Sequence, residues 1–226
     1  MTQVLLIPGL LCDETVWRPA LEQLPGAQVA DLSTQDDITQ MARDCLAAHP
    51  GPLRVAGHSM GARVAMEMAR LAPDRIERLA LLNTGIHPLR EGEREKRAEI
   101  VAFAHEHGMA ALAERWLPGM VYEPNRQNTA LMSALREMVL RKTPALHERQ
   151  ITALVNRPEA AAVLPGIACP VLLVVGRQDQ WSPVSQHQDM LALLPDARLE
   201  IVDNAGHFAP LEQPDAVAAL LAGFLG

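Results

Sequence analysis

The chain has 226 residues, 49% of them hydrophobic and 21% charged, with a formal net charge of −7. These values exclude a disordered or fibrous chain, and the negative balance, with no basic stripe interleaved with aromatics, argues against nucleic acid as a partner. The length suits one well-packed core with an insertion and is short for two domains of ordinary size.

Residues 4–7 form a continuous apolar run stopped by Pro8-Gly9, as expected of a strand covered on both faces. No basic lead or small-residue cleavage site accompanies this run, so it reads as a buried strand rather than a signal peptide. Residues 13–24 read as a loop and helix, with Val16, Trp17, Ala20, Leu21 and Leu24 at helical spacing, stopped by Pro25-Gly26. Residues 28–32 predict a second strand. Ile38, Met41, Ala42, Cys45 and Leu46 then mark a helix face closed by Pro50-Gly51-Pro52. A strand at 53–56 leads into the turn Gly57-His58-Ser59-Met60-Gly61. The helix after it keeps one face small through Ala62, Ala65, Ala69 and Ala72, and residues 76–82 predict a fourth strand.

Only helical periodicity follows for about eighty residues, in pieces at 93–107, 109–117, 125–141 and 145–156. The strand and helix alternation then resumes, with strands at 171–175 and 199–202 and helices at 184–194 and 215–225. Alternating elements predict a parallel sheet with helices on both faces. Residues 88–163 are expected to be a helical lid inserted between core segments 1–87 and 164–226, over the strand ends where open α/β sheets bind ligands. No stretch approaches the ~20 apolar residues of a membrane span, so no membrane partner is expected. Cys12, Cys45 and Cys169 show no C-x-x-C spacing, which argues against a disulfide framework or zinc cluster and points to a reducing, cytoplasmic setting.

A serine between two glycines at a strand-to-helix turn is held in a strained conformation that lifts its hydroxyl clear of the sheet, next to helix N–H groups able to stabilise negative charge. A serine hydroxyl needs a base, and the base needs an orienting carboxylate. The loops Gly176-Arg177-Gln178-Asp179 and Asn204-Ala205-Gly206-His207-Phe208 each follow a predicted strand and supply these groups at the same sheet edge.

The turn, the acid loop, the histidine loop and the order Ser, Asp, His resemble the α/β-hydrolase superfamily over essentially the whole chain. The resemblance implies Ser59 as nucleophile, His207 as general base and acid, Asp179 as its orienting partner, and the Leu10 and Met60 N–H groups as oxyanion hole, with Leu11 an alternative donor. Many relatives place a histidine before the glycine of the oxyanion loop, where this chain has Pro8-Gly9. The hairpin that often opens the superfamily's sheet has no counterpart here, so six parallel strands are expected instead of eight.

Asp203 competes with Asp179 for the acid but lies on the histidine's own loop. Asn83 stands where some relatives carry the acid and has no carboxylate. His58 is expected to pack beneath the turn, and His105 and His107 to face solvent rather than bind metal. The charged run 90–99, with Glu93 and Arg97 at i,i+4 spacing, reads as a solvated helix face. Leu11, Trp116, Met120, Trp181 and Phe208 are candidates for a substrate pocket. With aromatics only 3% of the chain, that pocket is expected to be mostly aliphatic and methionine.

The implied activity is a cofactor-free serine hydrolase of carboxylic esters acting on a small-molecule ester or lactone. The alternatives are an enol-lactone or carbon–carbon bond hydrolase, and a ligand receptor on the same scaffold.

Overall fold

The computed structural model describes residues 2–226. Its strands are Gln3–Ile7 (β1), Gln28–Val29 (β2), Leu53–His58 (β3), Ile76–Leu82 (β4), Val171–Gly176 (β5) and Ala197–Val202 (β6). They form one sheet in the order β2-β1-β3-β4-β5-β6 with every neighbouring pair parallel, the six-stranded α/β-hydrolase arrangement. The α-helices are Arg18–Gln23 (α1), Ile38–Ala48 (α2), Met60–Leu71 (α3), Glu93–Trp116 (α4), Thr129–Leu140 (α5), Pro144–Val155 (α6), Val184–Leu193 (α7), Ala209–Glu212 (α8) and Pro214–Leu225 (α9).

Side chains on a strand alternate between faces, and here both faces are apolar. Leu5, Ile7, Val55, Leu79, Leu81 and Leu173 enter one core with residues of α2, α3 and α7. Leu6, Ala56, Ala80, Leu82, Leu172 and Val174 enter the other with Trp17, α1 and α9. The continuous apolar runs in the sequence thus follow from a sheet sandwiched between helical layers. No helix among the described residues is long and apolar enough to cross a membrane.

One element differs from expectation. The strand at 28–32 shortens to Gln28–Val29, because the Asp31 carboxylate accepts from Ser33 N–H at 2.9 Å and turns the chain away from the sheet edge. The loop and helix expected at 13–24 take the form of a 3₁₀ turn, Glu14–Trp17, and a short α1, since Pro19 has no N–H to continue an earlier helix but fits the first turn of a new one.

Between β4 and β5 the chain holds α4, α5, α6 and short 3₁₀ turns with no strand, while β4 pairs directly with β5. Gly108, at φ 79° and ψ 173°, breaks α4 at the position separating two predicted helical pieces. Asn128 and Thr143 cap α5 and α6 by accepting from Leu131 and Leu146 N–H, both at 3.1 Å.

Candidate active site

Ser59 caps α3 with φ 54° and ψ −113°, a left-handed conformation that costs a non-glycine residue energy. The turn is held because Ser59 N–H donates to Leu82 O at 2.9 Å and Thr84 Oγ1 donates to Ser59 O at 3.1 Å. A Cβ on Gly57 would overlap the backbone of Ala62, and one on Gly61 the carbonyl of Ile7. Glycine at both positions therefore permits the close approach that aims Ser59 outward.

Asp179 lies just beyond the carboxyl end of β5 and His207 beyond that of β6. His207 Nε2 and Ser59 Oγ are 2.8 Å apart, and His207 Nδ1 and Asp179 Oδ2 are 2.9 Å apart. An ionised Asp179 only accepts, so Nδ1 carries the proton and Nε2 is left to accept from the serine. The carboxylate is further fixed by Trp181 and Ser182 N–H on Oδ1 and by Asn83 Nδ2 on Oδ2, each at 2.9 Å. Burial pushes the Asp179 carboxyl up, but the His207 charge and the hydrogen bonds from His207, Ser182 and Asn83 outweigh it and hold the group below the usual carboxylate range. Asp203 pairs with Arg177 and its side chain is 66% exposed, away from the imidazole.

Three buried residues that the sequence reading left without a role hold these loops. Asn83, at φ 48°, bridges the acid and histidine loops by donating to Asp179 and to Gly206 O at 3.1 Å. Glu212 accepts from Gly206, Phe208 and Tyr122 N–H and from Asn125 Nδ2, joining the histidine loop to the segment before α5. Gln150 on α6 accepts from Leu11 N–H at 2.8 Å and donates to Leu32 O at 3.3 Å. The Asn at the alternative acid position was the one local signal.

The Gln150 bond occupies the Leu11 N–H, which removes Leu11 as an oxyanion donor. Leu11 sits at φ 58° in a turn closed by Cys12 N–H on Gly9 O, and its side chain is buried in the core rather than lining the cavity. Leu10 and Met60 do line the cavity, and neither N–H has a protein partner among the described residues. For Met60 this follows from its place in the first turn of α3.

His58 packs beneath the turn as expected, stacked on Phe208, with Nε2 donating to His207 O at 2.8 Å. Burial pushes its pKa down to about 3, and burial likewise pushes His147 and His187 down to about 4. All three are neutral in the fold but take up protons when unfolded. Their stabilisation is complete above pH 6.5, the ordinary histidine value, and is lost as pH falls toward 4 and then 3. Urea midpoints between pH 7.5 and 5 should fall with decreasing pH, and His187→Gln should reduce the proton uptake on unfolding by about one. A slope unaltered in that variant would show that His187 does not carry this effect. His105 and His107 are about half exposed, the former 2.9 Å from Glu148.

Ser59 and His207 open into a cavity of about 740 Å³ that Trp116, Met120, Trp181 and Phe208 also line. Aliphatic and methionine side chains line it as expected, among them Met60, Ile100, Ile151 and Leu154, but its wall also carries six cationic and three acidic side chains that the sequence reading did not anticipate. The run 90–99 is not wholly solvated either: Glu93 and Arg97 turn inward with side chains 19% and 14% exposed, 2.8 Å apart. Arg157 closes on Glu93 at 2.8 Å. Burial pushes the Glu93 carboxyl up, but hydrogen bonds from Arg157, the Arg90 backbone and Arg97 prevail and hold it at about 2. Cys12 also lines the cavity, where burial raises its thiol to about 12 and keeps it protonated and inert.

A serine-bearing turn between β3 and α3, polar loops after β5 and β6 and a six-stranded parallel sheet define an α/β hydrolase. A model of the alpha/beta hydrolase family matches residues 4–220, and the chain belongs to that family. It is 30% identical to a pimeloyl-[acyl-carrier protein] methyl ester esterase of Chromobacterium violaceum, over 88% of this chain and 81% of that protein. A thermophilic esterase from Thermogutta terrifontis superposes with a TM-score of 0.91 at 26% identity, covering 100% of this chain and 89% of the other. The enol-lactonase from Burkholderia xenovorans LB400 shares the fold with a TM-score of 0.86 at 22% identity, covering 100% and 92%.

Proposed function

We propose that this protein hydrolyses carboxylic esters through a covalent acyl-enzyme on Ser59. The observation that carries the reading is the unbroken chain of hydrogen bonds from Ser59 Oγ through the His207 imidazole to Asp179. In this mechanism Oγ attacks the ester carbonyl carbon as His207 Nε2 takes its proton, and Asp179 stabilises the imidazolium that forms. The carbonyl oxygen, now an oxyanion, rests on the Leu10 and Met60 N–H groups. His207 returns its proton to the leaving alcohol as the carbon–oxygen bond breaks. Water activated by the same imidazole then adds to the acyl-enzyme and releases the acid.

Nucleophile and base are both protein groups, so the cycle as written needs no cofactor. Residues 88–163 act as the lid, a reading supported by Trp116, Met120 and Leu154 of this segment lining the same cavity as Ser59 and His207. The names of the two esterases it resembles support the ester as the bond cleaved. The three cysteines are free, which suits a reducing cytoplasm. The test is turnover by the purified protein of p-nitrophenyl esters, thioesters, lactones and a carbon–carbon substrate. Sustained ester hydrolysis is expected. Release of a single equivalent of p-nitrophenol without turnover would instead indicate a ligand receptor.

A further inference from the structure

The whole chain is acidic, yet the cavity beside Ser59 is cationic. Three arginines from different segments meet there. Arg63 lies on α3 one helical turn past Ser59, Arg97 lies on α4, and Arg157 follows α6. Arg63 Nη2 and Arg157 Nε donate to the same carbonyl, His87 O, at 3.1 and 3.3 Å, which sets the two guanidinium groups side by side.

The three have different tasks. Arg157 uses its five N–H groups on protein: His87 O, Leu154 O, Pro88 O and both oxygens of Glu93. It is structural, and Glu93 balances its charge. Arg97 donates only through Nε, to Glu93 Oε1 at 2.8 Å, and Arg63 only through Nη2. Both therefore line the cavity with donors that have no protein partner among the described residues, and Glu93 bonds Arg97 and Arg157 but not Arg63, whose one bond goes to a carbonyl. Burial first, and then the Arg157 charge, push Arg63 down to about 9, which reflects how poorly its charge is balanced by protein. A mostly desolvated, unpaired guanidinium is costly unless an anion completes it. Glu93, bonded to Arg97, opposes a second negative charge at the same place, so a carboxylate fits better than a phosphate dianion.

We propose that Arg63 and Arg97 form a carboxylate-binding subsite, and that the substrate is an ester bearing a free carboxylate a few carbons from the scissile carbonyl, as in the half-ester of a short dicarboxylic acid. This rests on the hydrolase reading above. It adds the feature that selects among esters: the Arg63 fork holds the remote carboxylate while the ester carbonyl lies over Ser59.

The experiment compares monomethyl adipate with dimethyl adipate. The wild-type protein should show kcat/KM at least about tenfold higher for the half-ester, and Arg63→Gln should bring the ratio close to one, chiefly through KM. Arg97→Gln, on the insertion, should lower the ratio in the same direction and serves if the α3 variant does not fold. Adipate should also raise the Tm of the wild-type protein and not of Arg63→Gln, a readout independent of turnover. Equal kcat/KM for the two esters, a ratio that survives both substitutions, or stabilisation by inorganic phosphate but not by adipate would overturn the subsite while leaving ester hydrolysis in place. Stabilisation by adipate that requires Arg63, in a protein that turns over neither ester, would keep the subsite and remove the hydrolase reading.

Discussion

Ser59→Ala is expected to lower ester hydrolysis by at least ~10³-fold and to abolish labelling by a fluorophosphonate, with the urea midpoint essentially unchanged. The rate effect is large because no second nucleophile stands at the turn: the Cys12 thiol is protonated by its burial. The stability effect is small because the hydroxyl makes one hydrogen bond, to His207, while the backbone bonds to Leu82 and Thr84 that hold the turn are unaltered. Labelling and turnover that persist in the alanine variant would exclude Ser59 as the nucleophile.

The second large effect belongs to Asp179→Asn, expected to cost about 10⁴ in kcat, against less than about twofold for Asp203→Asn. The Asp179 pocket explains the size. Oδ1 faces the backbone N–H groups of Trp181 and Ser182, which cannot turn away, so an asparagine must keep its carbonyl there and present its NH₂ to Asn83 and His207. Asn83 can rotate its amide, though it then loses the bond to Gly206 O. His207 must accept at Nδ1, which moves its proton to Nε2 and points it at the serine it is meant to deprotonate. A larger loss from Asp203→Asn would transfer the acid's role to that residue.

The fold was legible where burial leaves a local trace. The apolar run of β5 and the small face of α3 predicted a covered parallel sheet, and the purely helical periodicity from 88 to about 165 predicted the helical insertion. The serine, aspartate and histidine were readable because each sits in a loop directly after a strand. Their supports were not readable. Asn83 meets Asp179 across 96 positions and Gln150 meets Leu11 across 139, and no local pattern marks a residue whose partner is that distant. The cavity's charge was hidden for a related reason. Glu93 and Arg97 look like an ordinary exposed i,i+4 pair until Arg157, 64 positions after Glu93, turns them inward. Low aromatic content pointed to the aliphatic part of the wall and not to its charged part, because composition does not say which arginines face a cavity.

The Gln150 contact with Leu11 ties α6 to the loop that carries Leu10. Lifting α6 off the core would break this bond and remove one support of that loop. On the proposed mechanism, the acyl-enzyme would then form with α6 seated and the Leu10 loop supported, rather than in a site already open to solvent.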